Sequence, residues 1–460
     1  MSRSEPVSPC LPQSLQTAAL QDLNYCNTGV EPRVAVDPRT VSGGRPVIIG
    51  VWQQDRFQNG GASALMAASS RDGGRTWDRT CLPFTLCVSR GIRAEAASDP
   101  LVSIGPDGTA YATGLILSVT RLNRSQGVVV ATSRDGGTSW GNVQAIVRDS
   151  LTQLSDKESV TADPVHAGVA YVIWDRTGLA GGRFSQPPWF SRTMDHGRHW
   201  STPRPIPGVP GLTIGHQIVV DPRTDTLYDV FSRVNQSKHE FCQPEREDCA
   251  NPPSDSDIAL IRSTDMGLTW SAPAVIARNR AVGPGKGLGI QVRVGTRVPE
   301  AALDPVTGRL YVVFEDAGAA GGRYDAIALV ASDDGGRHWT YRTAVPSPPG
   351  TPAVTPSLAV SSDGRIGITY YTMRWRTPAQ TYLETEFWFV SGSAGGTFLN
   401  LPVRLAGPFN LLDAPWADGF FLGDYEGLAG TGNGFVSLFA VANAGRPVNR
   451  TEVLSARITR

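Results

Sequence analysis

One eight-residue stretch recurs along this chain and limits its fold more than any other feature. It reads Ser70-Arg71-Asp72-Gly73-Gly74-Arg75-Thr76-Trp77, and it returns as Ser133–Trp140, Thr193–Trp200, Ser263–Trp270 and Ser332–Trp339. A worn sixth copy, Ser391–Phe398, carries Ser393 in place of the acid and Phe398 in place of the tryptophan. The shared position falls at residues 72, 135, 195, 265, 334 and 393, with gaps of 63, 60, 70, 69 and 59. Self-similarity at a long, nearly fixed period means repeated supersecondary units. Each copy reads as one tight turn. The aspartate accepts hydrogen bonds from backbone N–H groups ahead of it, and glycine supplies the positive φ that the turn needs. The closing tryptophan is an apolar anchor for packing the turn onto the body of the protein.

A second repeat runs in phase with the first: an apolar strand, an Asp-Pro or Asp-Gly turn, and another apolar strand. Ile218-Val219-Val220-Asp221-Pro222 leading to Leu227–Phe231, and Ala301–Gly308 leading to Leu310–Phe314, show it well. Such hairpins start near residues 33, 99, 159, 216, 299, 357 and 426. One unit is then four antiparallel strands, and repetition of that unit predicts an all-β chain folded as a β-propeller. Seven blades are preferred on the hairpin count. The last unit runs out after Thr451–Ile458, one strand short. Residues 1–30 are read as an N-terminal extension in which Leu20–Asn27 supplies a strand that closes the last blade, and 31–460 as the propeller.

The Ser-x-Asp-x-Gly-x-Thr-Trp turn resembles the Asp-box, or BNR repeat, of the sialidase-like β-propellers, over about residues 30–460. The resemblance implies a closed ring, with six blades as the alternative count because sialidases themselves resemble a six-bladed wheel. It implies a glycan or glycoconjugate as partner. A sialidase-like glycoside hydrolase that removes terminal acidic sugars is the first functional reading. The alternative is a non-catalytic propeller that binds glycan or protein.

Composition narrows the field. Lys plus Arg equals Asp plus Glu at 42 each, so the net charge is zero, and nothing points to nucleic acid. No apolar run approaches the ~20 residues of a membrane helix. No cofactor motif is visible, and the six histidines show no metal-ligand spacing. The cysteines fall in neighbouring pairs, Cys10 and Cys26, Cys81 and Cys87, Cys242 and Cys249. Pairs in loops suit disulfides in an oxidising compartment, so a secreted, monomeric protein is expected, although Met1–Pro6 opens no signal-peptide pattern.

Topology divides the polar residues between two faces. The Asp/Gly/Trp turns join third to fourth strands, on the same side as the Asp-Pro turns, so their acids read as structural. The opposite side collects the starts of the first strands and the ends of the second. First-strand starts carry Glu31, Arg33, Asp99, Asp156, Lys157, Glu158, His216, Arg297, Glu300, Asp424, Tyr425 and Glu426. Second-strand ends carry Asp55, Arg56, Asp175, Arg176, Arg233, Glu315, Tyr371 and Arg374. Together they make a polar funnel, and arginine forks in it are suited to clamping a carboxylate.

The resemblance assigns roles within that funnel. Asp424-Tyr425-Glu426-Gly427-Leu428 is similar to the Tyr-x-x-Leu opening of the family's nucleophile strand, which makes Tyr425 the candidate nucleophile; sialidases depart from the two-carboxylate rule in using tyrosine. Trp52–Arg56 and Phe231–Gln236 resemble segments that carry site arginines, here Arg56 and Arg233. Arg33 stands closest to the family's first arginine. Glu300 is a candidate partner for the nucleophile if the units are counted one later, and Arg374 is a further binding candidate. Residues 57–70 contain no acid, so proton transfer is assigned to Asp55 or Glu426.

Overall fold

Strand follows strand with reversal at each turn, so hydrogen bonding runs almost wholly between sequence neighbours. The computed structural model describes residues 24–58, 60–119, 124–150, 152–180, 183–209, 211–234, 256–376, 379–396, 398–432 and 434–459. Within them, antiparallel meanders begin with the first strands Asn24–Val36, Ala96–Ile104, Leu154–Ala162, Leu212–Asp221, Glu300–Leu303, Ala353–Val360 and Gly427–Gly430. The first six meanders have four strands each, with a short fifth, Arg183–Ser185, added to the third, and the last has three, Gly427–Gly430, Gly434–Ala442 and Thr451–Thr459. Each first strand packs beside the first strand of the next meander, and Gly427–Gly430 packs beside Asn24–Val36. This succession of radially packed sheets is an all-β propeller.

Burial follows from that arrangement. The second strands lie between flanking sheets, so Ile48–Phe57 and Ala110–Ser118 are buried along their whole length. Fourth strands lie at the rim, and Gly141–Arg148 is mostly exposed or half-buried. The core is a series of inter-sheet seams. Tyr171, Ile173 and Phe190 of the third meander interlock with Ile218, Phe231 and Ile261 of the fourth.

The recurring turns lock these seams. Asp265 Oδ1 accepts from the Thr269 N–H (2.8 Å) and the Ser263 hydroxyl (2.7 Å), while Oδ2 accepts from the Thr269 hydroxyl (2.6 Å). Asp72, Asp135, Asp195 and Asp334 repeat the pattern, which holds these carboxyls below their usual range. Gly267 sits at φ 82°, and a Cβ there would collide with the Phe190 ring. Each tryptophan packs into the seam with the preceding meander. Trp270 meets Phe190 edge-on at 5.6 Å, and Trp77 packs against a cluster that joins Ile48, Trp52 and Ala68 of the first meander to Val436, Leu438 and Val453 of the last. The worn copy keeps the glycine, Gly396 at φ 64° against the Tyr311 ring, but loses the anchor: Phe398 is 75% exposed.

Residues 24–30 of the N-terminal extension form the start of the first meander's inner strand, paired with Gln53–Phe57. Among the described residues no strand pairs with the outer edge of Thr451–Thr459. Cys81 and Cys87 form a disulfide, and Cys26 is disulfide-bonded as well. Cys10, Cys242 and Cys249 lie outside the described residues, as does most of the Ser232–Ser256 insertion. No described helix is long and apolar enough to cross a membrane.

The two anchors differ in what they bury, so their removal differs in cost. Trp270→Ala is expected to destabilise by about 3 kcal/mol, as large-to-small changes in packed seams do. Phe398→Ala is expected to stay within about 0.5 kcal/mol of the parent. Urea unfolding monitored by far-UV circular dichroism measures both.

Candidate active site

The axial ends of the first strands share a local distortion that builds the site. Glu31, Asp99, Lys157 and Thr355 all adopt left-handed backbone angles, φ 47–53°, and Gly215 does so at 74°. Each lies where the pairing of first and second strands slips, between Val30 and Arg33, Ser98 and Leu101, Ile214 and Gln217, Val354 and Ser357, or opposite Ile173–Asp175. A bulge breaks the alternation of a strand and re-aims side chains, and left-handed non-glycine residues cost on the order of 1–3 kcal/mol each. Here the re-aimed groups are acids and a lysine, directed at one another.

Lys157 is the hub. Its ammonium lies 2.7 Å from Asp424, 3.3 Å from Asp99 and 3.8 Å from Glu31. Arg293 clasps Asp424 from the other side, at 2.9 and 3.3 Å. Burial alone would raise Asp424, but Arg293 and Lys157 outweigh it and hold the carboxyl far below the usual range. Glu31 is pushed up to about 7, by burial first, against the opposing pull of Lys157. It accepts from the Gln53 amide and from the Asp424 N–H, the latter at 3.2 Å. Gly295 passes so close to the Asp424 carbonyl that a Cβ there would overlap it.

Beside the hub lies a small pocket lined by Arg33, Asp99, Lys157, Glu158, His216, Gln217, Glu300 and Tyr425 among others. Arg33 pairs with Glu300 and lies 4.5 Å over the Tyr425 ring. Tyr425 is 3% exposed and its hydroxyl has no hydrogen-bond partner among the described residues. Burial, then Glu31, Asp99 and Glu158, raise that hydroxyl well above its ordinary value. Glu158 is buried too, and neither of its oxygens has a partner among the described residues. Burial, then Asp99, hold it protonated well above the usual carboxyl range. His216 is clasped by Asp229 at 2.7 Å and Asp175 at 3.4 Å. Burial would lower it, but the two acids outweigh that and raise it to about 10. Two residues with unsatisfied buried groups, a phenol and a carboxyl, therefore line one small pocket next to a dense ionic cluster. Such groups are where bound molecules and chemistry concentrate.

The sequence-derived candidates divide. Arg33, Glu300 and Tyr425 come together in the pocket. Arg56 lies behind it, donating to Gln53 (2.7 Å) and stacked on Phe421 at 4.6 Å, where Arg293 also stacks at 4.8 Å. Asp55 does not line the pocket; it accepts from the Asn27 N–H at 2.6 Å and braces the first strand. Glu426 turns away from the pocket, and the Tyr371 hydroxyl lies 2.7 Å from its Oε1. Arg233 bonds its cross-strand neighbour Asp257 at 3.2 Å, and Arg374, 57% exposed, bonds Glu384 at 2.6 Å; neither lines the pocket. Lys157, Glu158 and Asp99 were visible in sequence as part of the funnel but carried no assigned role. Among the described residues no three His, Cys, Asp or Glu side chains are grouped to hold a metal.

No family model matches the chain, and no curated protein matches it. Among solved structures it is similar to a protein of unknown function from Dyadobacter fermentans, at 16% identity over 94% of each chain and a TM-score of 0.48. It is similar to a Hadza microbial sialidase at 16% identity, over 86% of this chain and 73% of that one, TM-score 0.47. It is also similar to a mutant α-L-arabinofuranosidase of Fusarium graminearum in complex with an iminosugar inhibitor, at 14% identity over 86% of this chain and 96% of that one, TM-score 0.48.

The surroundings of Glu426 give a pH prediction. The Tyr371 hydroxyl lies 2.7 Å from both Glu426 Oε1 and the Ala440 carbonyl, and it accepts from the Ala440 N–H at 3.0 Å. A phenol has one proton to donate, so a protonated Glu426 completes the set. Burial raises its carboxyl well above the ordinary value. The folded state then holds a proton that the unfolded chain releases above about pH 4.3. Stability on this account is full below that pH and declines as pH rises toward the folded-state value. Glu426→Gln is expected to add on the order of 1–3 kcal/mol at pH 8, and nothing at pH 4. Thermal unfolding at the two pH values checks it.

Proposed function

We propose that this protein is a glycoside hydrolase that takes a terminal sugar of a glycan into the axial pocket. The observation that carries the reading is that two residues with buried, unpartnered groups, Tyr425 with its hydroxyl and Glu158 with its carboxyl, line one pocket. Glu158, kept protonated by burial, supplies a proton to the departing glycosidic oxygen. The Tyr425 oxygen attacks the anomeric carbon, and its own proton passes to Asp99, the nearby carboxylate held by Lys157. Water then attacks the glycosyl–tyrosine bond and gives a proton to Glu158, while Asp99 returns its proton to the tyrosine. The finer reading, an exo-sialidase acting on acidic sugars, draws support from the stacking of Arg33 over Tyr425, while the Glu300 carboxylate on that arginine counts against it. Asp55 and Glu426 have no part in this scheme.

The same reading takes the scaffold as a seven-bladed ring closed between its first and last meanders. The contact of Gly427–Gly430 with Asn24–Val36, and the cluster that joins Ile48 and Ala68 to Val436 and Leu438, support closure. The Cys81–Cys87 disulfide fits an extracellular enzyme.

One observation favours a binding module instead. Among the described residues no base is hydrogen-bonded to Tyr425, and burial makes its hydroxyl hard to ionise. A panel of fluorogenic sialosides, arabinofuranosides and galactosides, assayed from about pH 4 to pH 8, separates the two. Hydrolysis is expected with at least one member. Glu158→Gln is expected to lower kcat by about 10²–10⁴-fold, and Tyr425→Phe to abolish turnover. Binding to a glycan array without turnover of any substrate would leave only the binding module.

A further inference from the structure

We infer that Glu300 occupies Arg33 in the place where a sugar carboxylate would otherwise bind, so that this pocket selects uncharged sugars and rejects acidic ones. The inference rests on the reading that the pocket receives a sugar, but not on turnover. It follows from the state of every cation beside the cavity. Arg33 is neutralised by Glu300, whose second oxygen lies 3.4 Å from the Gln217 amide. Gln217 is itself fixed by the Ala301 N–H at 2.6 Å, so Glu300 is held in a built position. The second nitrogen of the Arg33 fork donates to the Glu426 carbonyl at 3.2 Å. Lys157 is already shared among three carboxylates, and His216 between two.

Most of the free atoms are oxygens. Glu158 offers two, and Asp99 and Tyr425 one each, while the unpartnered Arg33 Nε and His216 Nε2 belong to side chains already paired with carboxylates. A carboxylate entering the cavity meets Glu300, Asp99 and Glu158 with no unengaged cation in the lining. It must either share one guanidinium with Glu300 or displace it, leaving a buried charge unpaired. Sugar hydroxyls bring donors and acceptors without charge, and suit the same groups. Arg297 is the one nearby arginine whose surroundings supply burial and no acid, but it does not line the pocket.

The test is direct binding, measured by isothermal titration calorimetry with 2,3-dehydro-2-deoxy-N-acetylneuraminic acid and a panel of neutral methyl glycosides. Wild type is expected to bind at least one neutral glycoside and not the acidic analogue. Glu300→Gln keeps the shape, frees Arg33, and is expected to bind the acidic analogue at least about tenfold more tightly than wild type. The double variant with Arg33→Gln is expected to lose that gain. If Glu300→Gln does not fold by circular dichroism, Glu300→Asp, which draws the carboxylate back by one methylene, is expected to show a smaller gain of the same sign. Tight binding of the acidic analogue by wild type, whether or not Arg297→Ala removes it, would overturn the inference, as would no gain in the variants. Sialoside turnover by wild type would overturn it while upholding the hydrolase. A gain in Glu300→Gln without turnover of any glycoside would uphold it while ending the hydrolase reading.

Discussion

Lys157 brings one positive charge into a region where Glu31, Asp99 and Asp424 each bring a negative one. These four residues come from the third, first and second meanders and from the entry to the last. A buried ammonium with no partner costs several kcal/mol, and so does each buried carboxylate. Each is tolerable only if the others are in place. The ion cluster is thus a condition on how four sheets meet, and the pocket beside it inherits its shape from that condition. Arg293 extends the cluster to the Gly-rich linker, through Asp424 and through the Val292–Arg293 pairing with Phe420–Phe421.

The two sides of the propeller are held by different physics. On one side the turn aspartates are satisfied locally, and tryptophans seal one sheet against the one before it, although the indole N–H groups of Trp140, Trp200 and Trp270 have no partner among the described residues. Nothing there is left wanting a partner at Asp72 or Asp265. On the other side the backbone is distorted at Glu31, Asp99, Lys157 and Thr355, and polar atoms of Glu158 and Tyr425 are buried unsatisfied. Strain and unsatisfied groups are costs that a fold carries where it binds or reacts, and the stable turns opposite are what offset them.

The architecture was legible in sequence because its signal is local. Ser-x-Asp-x-Gly closes its hydrogen bonds within a few residues, so the turn is written in consecutive letters. Even the failed copy was readable, since the loss of the acid and of tryptophan at 393 and 398 coincides with an anchor that no longer packs. The site was legible only in outline. Of its funnel of first-strand starts, Tyr425, Arg33 and Glu300 lie together at one pocket. Asp55 and Arg56 were adjacent to the right strand, but their side chains serve the strand's own bracing. Charge pairing across 267 residues, as between Arg33 and Glu300, leaves no mark on either neighbourhood. One signal was nevertheless present. The position filled by Pro32, Pro100, Pro299 and Pro356 in four repeats is filled by Glu158, His216 and Tyr425 in the other three. Where a repeat abandons its proline for a titratable group, local geometry is no longer the reason for the residue.

Trp77 belongs to the first meander, yet the cluster it packs on includes Val436, Leu438 and Val453 of the last. During synthesis the first sheet therefore emerges with this seam unfilled. The early sheets can interlock with one another as they appear, but the first of them keeps an uncovered apolar flank until nearly the whole chain has left the ribosome. Contacts so far apart in sequence form slowly, and an exposed flank of this kind is the surface a chaperone would shield.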